Sequence, residues 1–167
     1  GMIVGVYGIG YAIAAFDRER LLPGVAHDDL HLAPVVGVYR TGSVGKHDAV
    51  LERESAALEF MQITYSPADR GAEPLMALAA DRGLGVIVNR PFREGALLRD
   101  LQRHPLPPWA AAELGCDGWA QFALKFIVSH PAVTCAIPAT SRADHMRENM
   151  RAGMGRLPDT AMRERMA

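Results

Sequence analysis

Phe60-Met61-Gln62-Ile63-Thr64-Tyr65-Ser66 and Thr134-Cys135-Ala136-Ile137-Pro138-Ala139-Thr140-Ser141-Arg142 decide how this chain is read. Each is a short apolar run that ends in polar residues, and each is followed by a helical pattern. Phe60–Thr64 is expected as a strand before a helix at Ala72–Asp81, which Gly83 closes. Thr134–Ile137 is expected as a strand before a helix at Arg142–Ala152. Between them lie a strand at Gly85–Asn89 and a long loop from Pro91 to Pro108 with a helical piece near Leu97–Gln102. A short helix at Pro108–Leu114 and a strongly apolar helix at Asp117–Ser129 follow. Towards the start, the pattern predicts strands at residues 3–7 and Val35–Val38, and helices at 11–22 and His47–Ala57. Pro23-Gly24 ends the first helix, and His27 to Pro34 is a polar connection. A last helix is expected after Asp159. Strands alternating with helices imply parallel βαβ units and an α/β fold.

The chain has 167 residues, which suits one domain with a real core. It is short of the roughly 250 residues of a complete eight-fold barrel. The net charge is −1 and no long basic run is present, which argues against a nucleic-acid partner. No apolar run is long enough to cross a membrane. The first basic residue is Arg18, after the apolar start, so no signal peptide is expected. Cys116 and Cys135 belong to no short motif and read as small core residues of a reduced, cytoplasmic chain.

Several residues could carry chemistry. Thr140, Ser141 and Arg142 sit where a strand gives way to a helix, and Ser141-x-x-Asp144 has capping-box spacing. Free amides at such a helix start attract phosphate, and the Arg142 guanidinium suits a phosphate fork. A capped helix with a solvated arginine fits the same residues. Gln62 lies near a strand end, as a ligand contact or as an inward polar residue. His27 and His31 are four apart but lie in a polar connection, with no third metal ligand evident. Gly8-Ile9-Gly10 with Ala14 hints at a dinucleotide fingerprint, although a glycine turn explains it equally.

From about Val35 to Gly153 the chain resembles the C-terminal half of an aldo/keto reductase, a resemblance carried mostly by Phe60–Ser66 and Ile137–Arg142. The resemblance implies a partial (half) TIM barrel of that type. It divides the single domain 1–167 into a divergent segment 1–34, the family-like half 35–153 and a tail 154–167. It implies NADP(H) as cofactor. Thr140, Ser141 and Arg142 match the positions that hold the adenosine 2′-phosphate, and Glu148 and Asn149 match a pair that contacts the adenine. His145 stands where the family often has Arg or Gln near that base. Gln62 matches the residue that holds the nicotinamide carboxamide. Gly95 and Leu97 keep a Gly-x-Leu loop that approaches the pyrophosphate. Arg90 could pair with cofactor phosphate or a substrate carboxylate, or be a surface arginine.

The chain departs from the family elsewhere. Asn89-Arg90-Pro91-Phe92 replaces Tyr-Ser-Pro-Leu, so no Tyr stacks on the nicotinamide from that position. Tyr39-Arg40 replaces Ser-Asn after the Val35 strand. The family's Tyr, Lys, Asp and His acid/base set is not found, so the catalytic residues are unknown. The two lysines, Lys46 and Lys125, stand in no suitable position. Asp29-Leu30-His31 has a spacing one residue off the family's, and His31 takes no catalytic role. The family reaction is reduction of an aldehyde or ketone. The expectation is a truncated or rearranged oxidoreductase, a half-barrel that binds nucleotide or a partner without turnover, or a piece of a longer product. Exposed strand faces and an open sheet edge would favour a homodimer.

Overall fold

Residues 60–167 are described in full in the computed structural model of the chain, with three strands nearer the start described as backbone: β1 (Met2–Tyr7), β2 (Ala12–Asp17) and β3 (Val38–Arg40). The remaining elements are β4 (Phe60–Thr64), α1 (Glu73–Asp81), β5 (Gly85–Asn89), α2 (Ala96–Leu101), α3 (Pro108–Leu114), α4 (Trp119–Val128), β6 (Val133–Ala136), α5 (Ala143–Arg151) and α6 (Thr160–Met166). Strands β3, β4, β5 and β6 form one sheet in that order, and every neighbouring pair is parallel. This is the expected α/β architecture, an open part of a barrel wall.

Two expectations near the start are corrected. The stretch read as a helix from residue 11 contains β2, which pairs antiparallel with β1 from Met2↔Asp17 to Tyr7↔Ala12. Its Ala-rich run with Ile13 and Phe16 fits either period, and pairing with β1 supplies the backbone partners that select the strand. A hairpin here removes the dinucleotide-fingerprint reading, which needs a helix after the first strand. The strand expected at Val35–Val38 reaches further along the chain than the sequence reading placed it. Tyr39 and Arg40, placed after it by the sequence reading, are on β3 opposite Met61 and Gln62. The helix expected at His47–Ala57, the connection with His27 and His31, and residues 35–37 lie outside the described residues.

β4 and β5 bury alternate residues: Met61, Ile63, Val86 and Val88 face the helices, while Phe60, Gln62, Thr64, Ile87 and Asn89 share the half-exposed face. β6 is buried throughout, as expected of a parallel strand covered on both faces. β2 runs beside β6 and α5. The β5–β6 register slips between Val86 and Ile87. There the Val86 N–H donates instead to the Thr134 hydroxyl at 2.9 Å, so no donor is orphaned. A methyl group on Gly85 would meet the Phe60 ring at 2.5 Å.

Helix α4 is buried along nearly its whole length, from Ala120 to Ile127. Two of those residues are polar. The Gln121 side-chain oxygen accepts from the Asp117 N–H at 3.1 Å. Lys125 is 1 % exposed and donates to the carbonyls of Met154 and Arg156 at 2.6 and 2.9 Å. Burial pulls the Lys125 ammonium below its ordinary pKa. Cys116 and Cys135 are free and buried, and burial pushes the Cys135 thiol up to about 12.

The chain's end is docked on α4. Asp159 caps α6 by accepting from the Met162 N–H at 2.8 Å, at the cap position expected from sequence. Arg163 lies 4.2 Å over the Phe126 ring and donates to the Phe126 carbonyl, to Ser129 Oγ at 3.0 Å and to Tyr65 Oη at 2.7 Å. Tyr65 in turn donates to Glu73 Oε1 at 2.8 Å, which also accepts from Arg70 Nε at 2.8 Å. Burial, together with the Glu73 bond, pushes the Tyr65 hydroxyl up to about 12. The Arg70 hydrogen bond comes first among the causes that hold the Glu73 carboxyl below the usual range.

Two predictions follow from this packing. Gly85→Ala should lower stability by about 1–3 kcal/mol through the clash with Phe60, read by urea denaturation. Because the folded pKa of Glu73 is lowered, its stabilising contribution is complete above the ordinary carboxylate range. It is lost as pH falls below about 4.3 and through the folded value. Glu73→Gln should therefore flatten the acid limb of a stability–pH curve, and an unchanged limb would remove Glu73 from the account.

Candidate functional site

A cleft of about 560 Å³ opens at the C-terminal ends of β5 and β6, where an α/β sheet places its ligands. Its walls come from the loop after β5, the loop after β6, the start of α4 and the body of α5. Six of the residues singled out from sequence line it: Arg90, Gly95, Thr140, His145, Glu148 and Asn149.

The loop after β5 is held in an unusual backbone. Arg90, Arg93 and Glu94 have φ of 45°, 50° and 56°, in the left-handed region that non-glycine residues rarely adopt. Gly95 follows at 85° and starts α2. The turn is closed by Arg93 N–H to Arg90 carbonyl at 2.8 Å and Gly95 N–H to Phe92 carbonyl at 2.9 Å. Strained residues gathered at a cleft are a recurring mark of functional loops. Arg90 is exposed and pairs with Glu94 at 3.5 Å. Leu97 is buried beneath this loop and does not line the cleft, so of Gly95 and Leu97 only the glycine faces it.

The loop after β6 differs in detail from its sequence reading. The residue before α5 is Arg142, and no side chain caps the helix, so the Ser141-x-x-Asp144 box does not form. Asp144 turns to Arg142 instead, accepting from Nε at 3.0 Å and from Nη2 at 2.5 Å. The Arg142 N–H donates to Thr140 Oγ1 at 3.2 Å. The guanidinium beside Asp144, helped by the His145 N–H, holds that carboxyl well below the usual carboxylate range. Ser141 and Arg142 are exposed beside the cleft, and the Arg142 fork is already occupied by an internal anion.

Gln62 is apart from this group. It is half-buried on the open face of the sheet, two residues from the end of β4. Asn89 shares that face and is fixed by the Thr64 hydroxyl, which donates to its side-chain oxygen at 2.8 Å. Among the described residues, no group of three or more His, Cys, Asp or Glu could hold a metal ion.

Phe92, Gly118 and Trp119 are among the cleft residues that were not identified as site residues from sequence. Trp119 falls within the strongly apolar helix expected at Asp117–Ser129. The available signal was its place, directly after a glycine at the very start of that helix. An ideal Cβ on Gly118 would stand 2.8 Å from Glu148 Oε1, so this glycine lets the α5 carboxylate approach the start of α4.

The sequence model of the Aldo/keto reductase family matches residues 36–165. The chain belongs to the aldo/keto reductase family. Solved aldo/keto reductase structures share its fold. One from Klebsiella pneumoniae, in complex with NADP and acetate, is 23% identical, with a TM-score of 0.62 over 76% of this chain and 45% of its own. One from Bacillus halodurans, in its holo form, is 21% identical, with a TM-score of 0.55 over 71% of this chain and 44% of its own. A thermostable member bound to the inhibitor epalrestat is 23% identical, with a TM-score of 0.59 over 77% and 47%. The chain thus spans about half the length of these aldo/keto reductases. No curated protein matches its sequence significantly. Among the described residues, no helix is long and apolar enough to cross a membrane.

Gly95→Ala should destabilise the chain by about 1 kcal/mol, because alanine resists a φ of 85°. A thermal melt reads the loss, and an unshifted melting temperature would show that the loop gives way at no cost.

Proposed function

We propose that the cleft at the ends of β5 and β6 holds the adenosine half of NADP(H), and that the chain brings this site to the reduction of aldehydes or ketones. The observation that carries the reading is the convergence of Arg90, Thr140, His145, Glu148 and Asn149, from two separate segments, on one cleft. Its volume falls within the roughly 300–1,000 Å³ of small-molecule sites. The donor set also fits. Cationic and amide donors suit phosphate, and the Glu148 carboxylate is an acceptor for a base's amino group. In this assignment Arg142 exchanges Asp144 for the 2′-phosphate, and Glu148 and Asn149 take the adenine. Arg90 and the Gly95 backbone approach the pyrophosphate, and Gln62 takes the carboxamide. Bound NADPH supplies the hydride for the carbonyl carbon.

A second reading, nucleotide binding without turnover, is favoured by two side chains. Tyr65, the one tyrosine among residues 60–167, is buried against Glu73 and Arg163, and its hydroxyl is pushed up to about 12. It is a poor proton donor to an alkoxide. Lys125 spends its ammonium on two backbone carbonyls and activates no tyrosine. Self-association belongs to the same proposal, because β3 is an edge of the four-stranded sheet among the described elements.

Titration of NADPH and NADH into the purified protein tests the reading. NADPH should bind at micromolar concentration and more tightly than NADH. Arg142→Ala should weaken NADPH about tenfold and leave NADH unaffected. Failure of both cofactors to bind would refute the site. With binding established, carbonyl-dependent NADPH oxidation decides between enzyme and binder, and light scattering reads the oligomer.

A further inference from the structure

Trp119 opens α4 on the wall of the cleft. Its indole is held on two sides. Nε1 donates to the His104 carbonyl at 3.0 Å, and the ring meets Phe122 edge-on at 5.2 Å between centroids. Phe122 is braced in turn by Trp109 at 5.7 Å. The indole is therefore preorganised, and a flat ligand that lies on it immobilises no flexible side chain. The carboxylate of Glu148 stands next to it, close against Gly118, the residue before Trp119. An aromatic face beside a carboxylate acceptor is suited to a planar heterocycle that carries an amino group on its edge. Of the two rings in a nicotinamide dinucleotide, the purine offers the larger π-face and an exocyclic amino group directly on the ring.

We infer that Trp119 is the platform on which the adenine ring lies, with its amino edge towards Glu148. The inference rests on the adenosine reading of the cleft and adds the residue that recognises the face of the base. Stacking of this kind needs no particular base sequence or phosphate pattern, so it acts independently of Arg142.

The test uses the full chain in a Trp109→Phe background, which leaves Trp119 as the sole indole. The probes are 2′,5′-ADP, which has the base and no nicotinamide, and reduced nicotinamide mononucleotide, which has the reverse. The expected result is quenching of Trp119 emission by 2′,5′-ADP and not by the mononucleotide. In the otherwise native chain, Trp119→Leu should weaken 2′,5′-ADP about tenfold, and Trp119→Phe should restore most of that loss. Binding of 2′,5′-ADP without a change in Trp119 emission, or with unchanged affinity in Trp119→Leu, overturns the platform and leaves the adenosine site standing. Quenching by the mononucleotide alone overturns it in favour of the nicotinamide end. Should Trp119→Leu fail to fold, the emission experiment and Trp119→Phe still decide. Failure of the unmodified chain to bind either 2′,5′-ADP or NADPH overturns the underlying reading as well.

Discussion

Two buried cations on one side of α4 hold the chain together. Lys125 donates to the carbonyls of Met154 and Arg156, and Arg163 donates to the Phe126 carbonyl and to Tyr65 just beyond β4. A buried charge without partners would be costly, so each cation requires the segment that answers it. Residues 154–167 are thereby fastened to α4, and α4 to the sheet. Leu157 and Met154 are the large apolar side chains left exposed among the described residues, and both lie in this outer segment. The tail is part of the core's packing, consistent with a family match that runs to residue 165.

The cleft depends on that anchoring. The far end of α4 carries Gly118 and Trp119, so the helix that is clamped at Lys125 and Phe126 also places one wall of the site. The opposite wall is a loop with four successive or near-successive left-handed residues, whose shape is maintained by its own backbone hydrogen bonds. A rigid helix and a strained loop around the same opening are the conditions for a preorganised pocket. The ion pair of Arg142 with Asp144 sets a further condition, since an incoming anion competes with a carboxylate already in place.

The chain spans about half the length of the solved aldo/keto reductases it matches, and the cleft proposed to bind nucleotide lies within residues 60–167. The polar groups at the ends of β5 and β6 are the donors and acceptors on which the nucleotide proposal rests. The tyrosine and lysine within residues 60–167 are spent on structure: Tyr65 is locked between an arginine and a glutamate, and Lys125 is a backbone clamp. Proton transfer needs a group whose pKa lies near the working pH and whose proton faces the substrate. Tyr65 meets neither requirement, and the Lys125 ammonium is turned to two backbone carbonyls.

The family, the parallel strand–helix alternation and six of the cleft residues were legible in the sequence. β5 and α3 fall at their expected bounds, because glycine, proline and a run of branched residues act locally. Thr140, His145, Glu148 and Asn149 were identified by motif, and a strand followed by a helix of fixed hand brings such residues to one end of the sheet. What the sequence could not decide depended on partners distant along the chain. Residues 12–17 became a strand because β1 lay opposite. Ser141 takes no capping role because the cap position falls one residue later, at Arg142. Lys125 is buried on α4, where carbonyls from beyond α5 accept from its ammonium. Trp119 entered the site through the packing of α4 against α5 and the β6 loop. Local preference writes the elements, whereas the choice of partner for each polar group is settled only when those elements meet.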